Sequence, residues 1–157
     1  MKPNLPAGHL AAWRHYYGSF WRILAAIEAD LAAAGLPSLS WYDALHELYR
    51  APGRHLRMSE LARSALLSRS GLTRLVDKLE KARLIERQAC PSDGRVQHAR
   101  LTDRGVDILK QIRPVYRAGI ARHFAAQLGA AEAKQLAATL GRLAGQPEAE
   151  GRLGPDR

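Results

Sequence analysis

The sequence predicts a mostly α-helical chain with one small β hairpin, and three observations predict it. Apolar residues recur at steps of three or four over four long stretches, as helix faces require. Breakers, Gly35 with Pro37 and then Ala51-Pro52-Gly53, fall between the first of those stretches. Two strand-like runs, Leu84–Ala89 and Val96–Leu101, bracket the turn formers Pro91-Ser92-Asp93-Gly94-Arg95.

The first stretch spans residues 10–34. Trp13, Tyr17, Phe20, Leu24, Ile27 and Leu31 fall on one face. Ser40 is the candidate N-cap of a second helix, Trp41 to Arg50, with Asp43 three residues on. His55-Leu56-Arg57 has the length of one small strand. Ser59 is placed to cap a short helix over Glu60 to Ala65, Leu66-Leu67-Ser68 makes a turn, and Ser68 caps a helix running to about Arg83. The hairpin follows, with residues 91–95 as a protruding tip. Thr102 caps the last long helical region, whose stripe is Val106, Leu109, Ile112, Val115, Tyr116, Ile120 and Phe124; Pro114 inside it predicts a bend. Gly129 separates a final helix, Ala131 to about Leu143, and residues 146–157 read as a loose tail.

The middle of this order is a helix-turn-helix followed by a β wing. The chain therefore divides into an N-terminal helix over 10–36, a winged helix-turn-helix over 37–101, C-terminal helices over 102–145 and the tail. The outer helices carry more apolar surface than so small a central module covers, which predicts a homodimer built through the N- and C-terminal helices.

Charge points to the partner. Among 157 residues, 24 Lys and Arg outnumber 15 Asp and Glu, giving +9 and a field that attracts polyanions or anionic membranes. Residues 54–104 hold twelve of the basic residues against six acids, so two-thirds of the excess sits in one-third of the chain. Within the helix from Ser68, the spacing of Leu72, Leu75, Val76 and Leu79 predicts the buried stripe. Ser68, Arg69, Ser70, Thr73 and Arg74 cluster at its N-terminal end, where free backbone N–H groups and a partial positive charge suit phosphate and where recognition helices meet base edges. Arg bonds guanine bidentately, and Ser or Thr reaches base or phosphate. Gly71 allows close backbone approach, at a cost in helix propensity of about 1 kcal/mol relative to Ala. Arg95 at the tip is placed for a minor groove, whose negative potential is enhanced in A/T-rich DNA. Asp93 is suited to orienting Arg95 or Arg74, and Arg54 and Arg57 to phosphate contact. The bland alternative is a solvated helix and a surface hairpin with a weak ion pair.

These residues also carry a resemblance. Leu67-Ser68-Arg69-Ser70-Gly71-Leu72-Thr73-Arg74-Leu75-Val76-Asp77-Lys78-Leu79-Glu80 resembles the recognition helix of the MarR family of multiple-antibiotic-resistance regulators. Arg83-Leu84-Ile85-Glu86-Arg87 is similar to that family's exit into the wing. Asp93-Gly94-Arg95 with Arg100-Leu101-Thr102-Asp103-Arg104-Gly105 is similar to its wing motif, an Asp-x-Arg followed by Leu-Thr and a Gly three residues after the Thr. Ala99 departs from the pattern, which has a larger aliphatic there. The resemblance implies a triangular homodimer reading a pseudo-palindrome of double-stranded DNA, usually as a repressor, and in many members release by a small aromatic or phenolic acid. A pocket of that kind would draw on Trp13, Tyr17, Trp41, His46 and Arg113; core and dimer packing is the plainer role for each.

Other chemistry finds little footing. No G-x-S-x-G, P-loop or HExxH is present, so no enzyme and no cofactor are expected. The six His are scattered and no metal site is expected. Cys90, the single cysteine, excludes an internal disulfide and suits a passive thiol better than a redox sensor. No signal peptide and no run of ~20 apolar residues is found, so a cytoplasmic protein with no membrane partner is expected. A non-specific architectural DNA binder and a protein-interaction module using the basic face remain as alternatives.

Overall fold

Most of the helices bury an apolar stripe, and most of their partners lie in the middle of the chain. The computed structural model describes residues 5–64, 69–90 and 93–145, with the side chains of 64, 69, 70, 90 and 93–96 outside that description. The expected turn at 66–68, the end of the short helix at Ala65, residues 91–92 of the tip and the 146–157 tail lie outside the described residues.

The elements are α1 (Ala7–Ala33), α2 (Leu39–Arg50), β1 (His55–Arg57), α3 (Met58–Ser64), α4 (Arg69–Lys81), β2 (Ile85–Cys90), β3 (Asp93–Leu101), α5 (Asp103–His123) and α6 (Ala130–Leu143). The strands form one antiparallel sheet in the order β1-β3-β2. This is the mostly helical winged helix-turn-helix that the sequence predicts.

The core joins the C-terminal half of α1 to α2, α3, α4, the sheet and the first half of α5, through Leu31, Leu45, Leu48, Leu61, Leu72, Leu79, Ile85, Leu109 and Ile112. α1 ends in a Schellman motif: Leu36 N–H donates to Leu31 O at 2.9 Å, with Gly35 at φ 68. α4 ends in the same motif, Leu84 N–H to Leu79 O at 2.9 Å, but with Arg83 in the left-handed conformation at φ 60.

Several caps differ from expectation, because carboxylates take the N–H groups that serine hydroxyls were expected to take. α2 begins at Leu39 rather than Trp41, and Ser40 is not its cap: the carboxylate of Glu28 on α1 accepts the Leu39 N–H at 3.0 Å. α3 begins at Met58, and Glu60 reaches back to the Arg57 N–H at 3.0 Å where Ser59 was expected to cap. β3 begins at Asp93, which pairs with Cys90 beside a register shift at Ala89/Cys90; Asp93 and Arg95 therefore belong to a strand rather than to an apical turn.

Thr102 caps α5 as expected, accepting from Gly105 N–H at 3.0 Å. Its hydroxyl also lies 2.9 Å from Arg83 O and 3.0 Å from Leu84 O, tying the start of α5 to the end of α4. A Cβ on Gly105 would stand 2.3 Å from Leu84 O, so only glycine fits there. The Leu-Thr-x-x-Gly pattern is thus a latch joining α4, wing and α5.

Candidate nucleic-acid interface

α4 is built as a helix with two unlike faces. Leu72, Leu75, Val76 and Leu79 are all buried, the stripe that the spacing predicts. Thr73, Arg74, Asp77 and Lys78 are exposed. Arg74 makes no ion pair among the described residues. Ser68 lies outside the described residues, and so do the side chains of Arg69 and Ser70.

The wing is fixed to α4 by a residue whose role the sequence did not reveal. Arg87 on β2 forms an ion pair with Asp77 and a second with Glu80, 3.3 Å away, while its backbone N–H donates to Glu80 at 3.4 Å. Two carboxylates of α4 are thereby spent on positioning the hairpin, and the basic residues nearer the helix start keep their field. Helix and wing are held as one unit, so a ligand engaged by one is presented to the other. The sequence signal was present, since Asp77 and Glu80 are one turn apart, but their partner lies beyond the helix end.

Asp93 and Arg95 sit in the strand next to the tip, with side chains outside the description. Arg57 is exposed on the edge strand β1, paired in register with His98. Arg54 is exposed, with its guanidinium 3.5 Å from Asp103 and 5.7 Å from the Tyr49 ring centroid.

The residues singled out for a small ligand are spread over the fold. Trp13 and Tyr17 stack on each other, centroids 5.9 Å apart, on the exposed first half of α1. Trp41 is half-buried; His46 is buried and stacks on Tyr42 at 5.4 Å. The Arg113 guanidinium lies 4.7 Å from the centroid of Tyr49. Tyr42 in turn meets Tyr116 at 4.6 Å. Around this aromatic cluster the charge is acidic. Withdrawal from water, then Glu47 and Glu28, pushes the Asp43 carboxyl up to about 6, although the residue keeps part of its surface open. Burial, with Asp43 and Tyr42 alongside, pushes the Tyr116 hydroxyl up to about 12. An open groove lies elsewhere, between α1 and α5, lined by Asp30, Ala33, Pro114, Val115, Ala118 and Arg122. Among the described residues there is no cluster of three metal-ligating side chains, and no helix is long and apolar enough to cross a membrane.

Comparison with known proteins places this geometry. The sequence model of the MarR family matches residues 34–96. The HTH-type transcriptional regulator MhqR of Bacillus subtilis (strain 168) is 36% identical over 63 residues, 40% of this chain and 43% of that protein, so the match spans less than half of that relative. Two solved structures are similar over nearly the whole length. One is Sco3205, a MarR family transcriptional regulator from Streptomyces coelicolor, in complex with DNA: 30% identity, 94% of both chains, TM-score 0.85. The other is the Mycobacterium tuberculosis MarR family protein Rv2887 in complex with salicylic acid: 31% identity, 91% of this chain and 99% of that one, TM-score 0.63.

Proposed function

The chain belongs to the MarR family of transcriptional regulators, and from that premise we propose that it binds a pseudo-palindromic operator in double-stranded DNA as a homodimer and represses transcription. The observation that carries the reading is the division of α4, one face wholly buried and the other offering Thr73 and Arg74 beside a wing tethered by Arg87. Ser68, Arg69, Ser70, Thr73 and Arg74 face the major groove, Arg95 enters the minor groove with Asp93 in support, and Arg54 and Arg57 hold phosphate. The protein works in the cytoplasm and is no enzyme. The DNA complex of Sco3205 supports this reading.

Dimerisation goes through α1, α5 and α6. Leu5, Trp13, Tyr16, Tyr17, Phe20, Trp21, Phe124 and Leu143 are large, apolar and exposed in one chain, and no described residue of α6 is buried. A second copy covers such a surface at a gain of roughly 1.5–3 kcal/mol per large side chain removed from water. Half-sites then lie ~34–36 Å apart.

A small aromatic acid relieves repression by binding among Trp13, Tyr17, Trp41, His46 and Arg113 of the dimer. The salicylic acid complex of Rv2887 supports an effector of this class.

Selection of bound fragments from genomic DNA, followed by competition against random duplex, tests the function. A strong preference for the selected fragments is expected; equal competition by random duplex would leave a non-specific architectural binder. Arg95→Ala should weaken binding broadly and flatten the salt slope by about one unit. Salicylate should shift both melting temperature and DNA affinity, and no shift in either would remove the effector from the proposal.

A further inference from the structure

The wing sheet has an outer face of which the proposed reading uses only Arg57. Register sets His55, Arg100 and Glu86 side by side in one row across the three strands, and Arg57, His98 and Gln88 in the next. The alternate residues Leu56, Ala99, Ile85 and Leu101 pack into the core on the opposite face. His98 is half-buried and the other five outer residues are exposed. His55 and His98 meet edge to face across β1 and β3, ring centroids 5.7 Å apart. The His55 ring lies over Gly53, where a Cβ would stand 2.9 Å from Nδ1; glycine at φ 66 leaves the ring its place.

Two arginines and two imidazoles thus share a surface with one carboxylate, Glu86. Among the described residues neither the Arg57 nor the Arg100 side chain makes an ion pair. The charges around the edge are already engaged: Arg54 with Asp103 at 3.5 Å, and Glu60 with the Arg57 N–H at 3.0 Å.

We propose that this outer face is a second polyanion contact, which takes the phosphate backbone of the duplex flanking the operator. The inference rests on the proposed DNA binding. Charge complementarity selects the occupant, and β2 and β3 carry both this face and the tip, so a duplex engaged by the tip continues past the face. Phosphate contacts of this kind strengthen binding without reading sequence. The ring N–H groups of His55 and His98 stand beside Arg57 and Arg100 as further donors to phosphate oxygens.

Fluorescence anisotropy of the full chain tests this with two duplexes, a selected operator core and the same core extended by about ten base pairs at each end. The extension should raise affinity several-fold. The salt slope should be steeper on the extended duplex than on the core by about one unit per chain, for Arg100. Arg100→Gln should remove most of the gain from the extension, Arg100→Lys should retain it, His55→Gln with His98→Gln should reduce it, and affinity for the core should hold in all three variants. An extension that gains nothing, or a gain that survives Arg100→Gln, would overturn the inference alone. Failure to bind the core at all would overturn the DNA-binding reading and this inference with it.

Discussion

Helices α4 and α1 are both amphipathic, yet they resolve their apolar faces differently. All four stripe residues of α4 are buried within the chain, whereas α1 buries only Ile27 and Leu31. Its first half presents Trp13, Tyr16, Tyr17, Phe20 and Trp21, each about half exposed. The winged unit buries its apolar stripes within one copy, whereas the first half of α1 and all of α6 leave theirs exposed or half-exposed. Periodicity finds both kinds of face, but only the surrounding fold tells which is satisfied internally.

The largest effect should come from α4. Leu79 is fully buried, and Leu79→Ala should cost about 2–5 kcal/mol through lost transfer energy and a cavity, read as a lower denaturant midpoint. A loss under 1 kcal/mol would mean that the winged unit is less complete than its burial indicates. Trp13→Ala with Tyr17→Ala should do the opposite: little change in the unfolding of a single chain, but a monomer in sedimentation at concentrations where the wild type is dimeric. Retention of the dimer would place the interface elsewhere.

A smaller effect lies where α1 meets α2. With its folded-state value raised to about 6, Asp43 holds its proton in the folded chain at pH values where the unfolded chain has lost it. Stability from this group is full below about pH 4, falls as pH rises towards 6 and is level above. Asp43→Asn should remove the fall and stabilise the protein at pH 7 by at most ~1 kcal/mol, since solvent screens a partly open carboxylate. A wild-type profile that rises from pH 4 to 6 by more than the variant's would contradict this sign.

The smallest effect compares two helix ends. α1 closes its Schellman motif with Gly35 and α4 closes the same motif with Arg83. A non-glycine residue in that conformation costs about 1–2 kcal/mol, partly offset by the entropy a glycine loses on folding. Arg83→Gly should therefore stabilise by about 0.5 kcal/mol, a small upward shift in Tm; Gly35→Ala should go the other way.

Most of the element order was legible because stripes and breakers are local. The four buried positions of α4 followed from spacing alone, and so did the Thr102 cap. Ser40 and Ser59 do not cap α2 and α3: Glu28 lies eleven residues from the N–H it accepts and leaves no local pattern, while Glu60, three residues on from Arg57, takes the end that Ser59 was expected to take. The tip is narrower than turn propensity predicts, since Asp93 pairs with Cys90 and Asp93 to Leu101 form one strand. Of the interface, the charge segregation was visible, but the Arg87 tether and the His55–His98 face were not, because both depend on strand register.

In the proposed complex two copies offer two α4 helices and two wings to one duplex. Sedimentation of the chain with a selected operator, and with versions in which five base pairs are inserted between the half-sites, measures it directly. Two chains should bind the native spacing, and affinity should fall steeply on the half-turn insertion, which rotates one half-site to the far side of the helix. One chain per duplex, or equal affinity for both spacings, would contradict it.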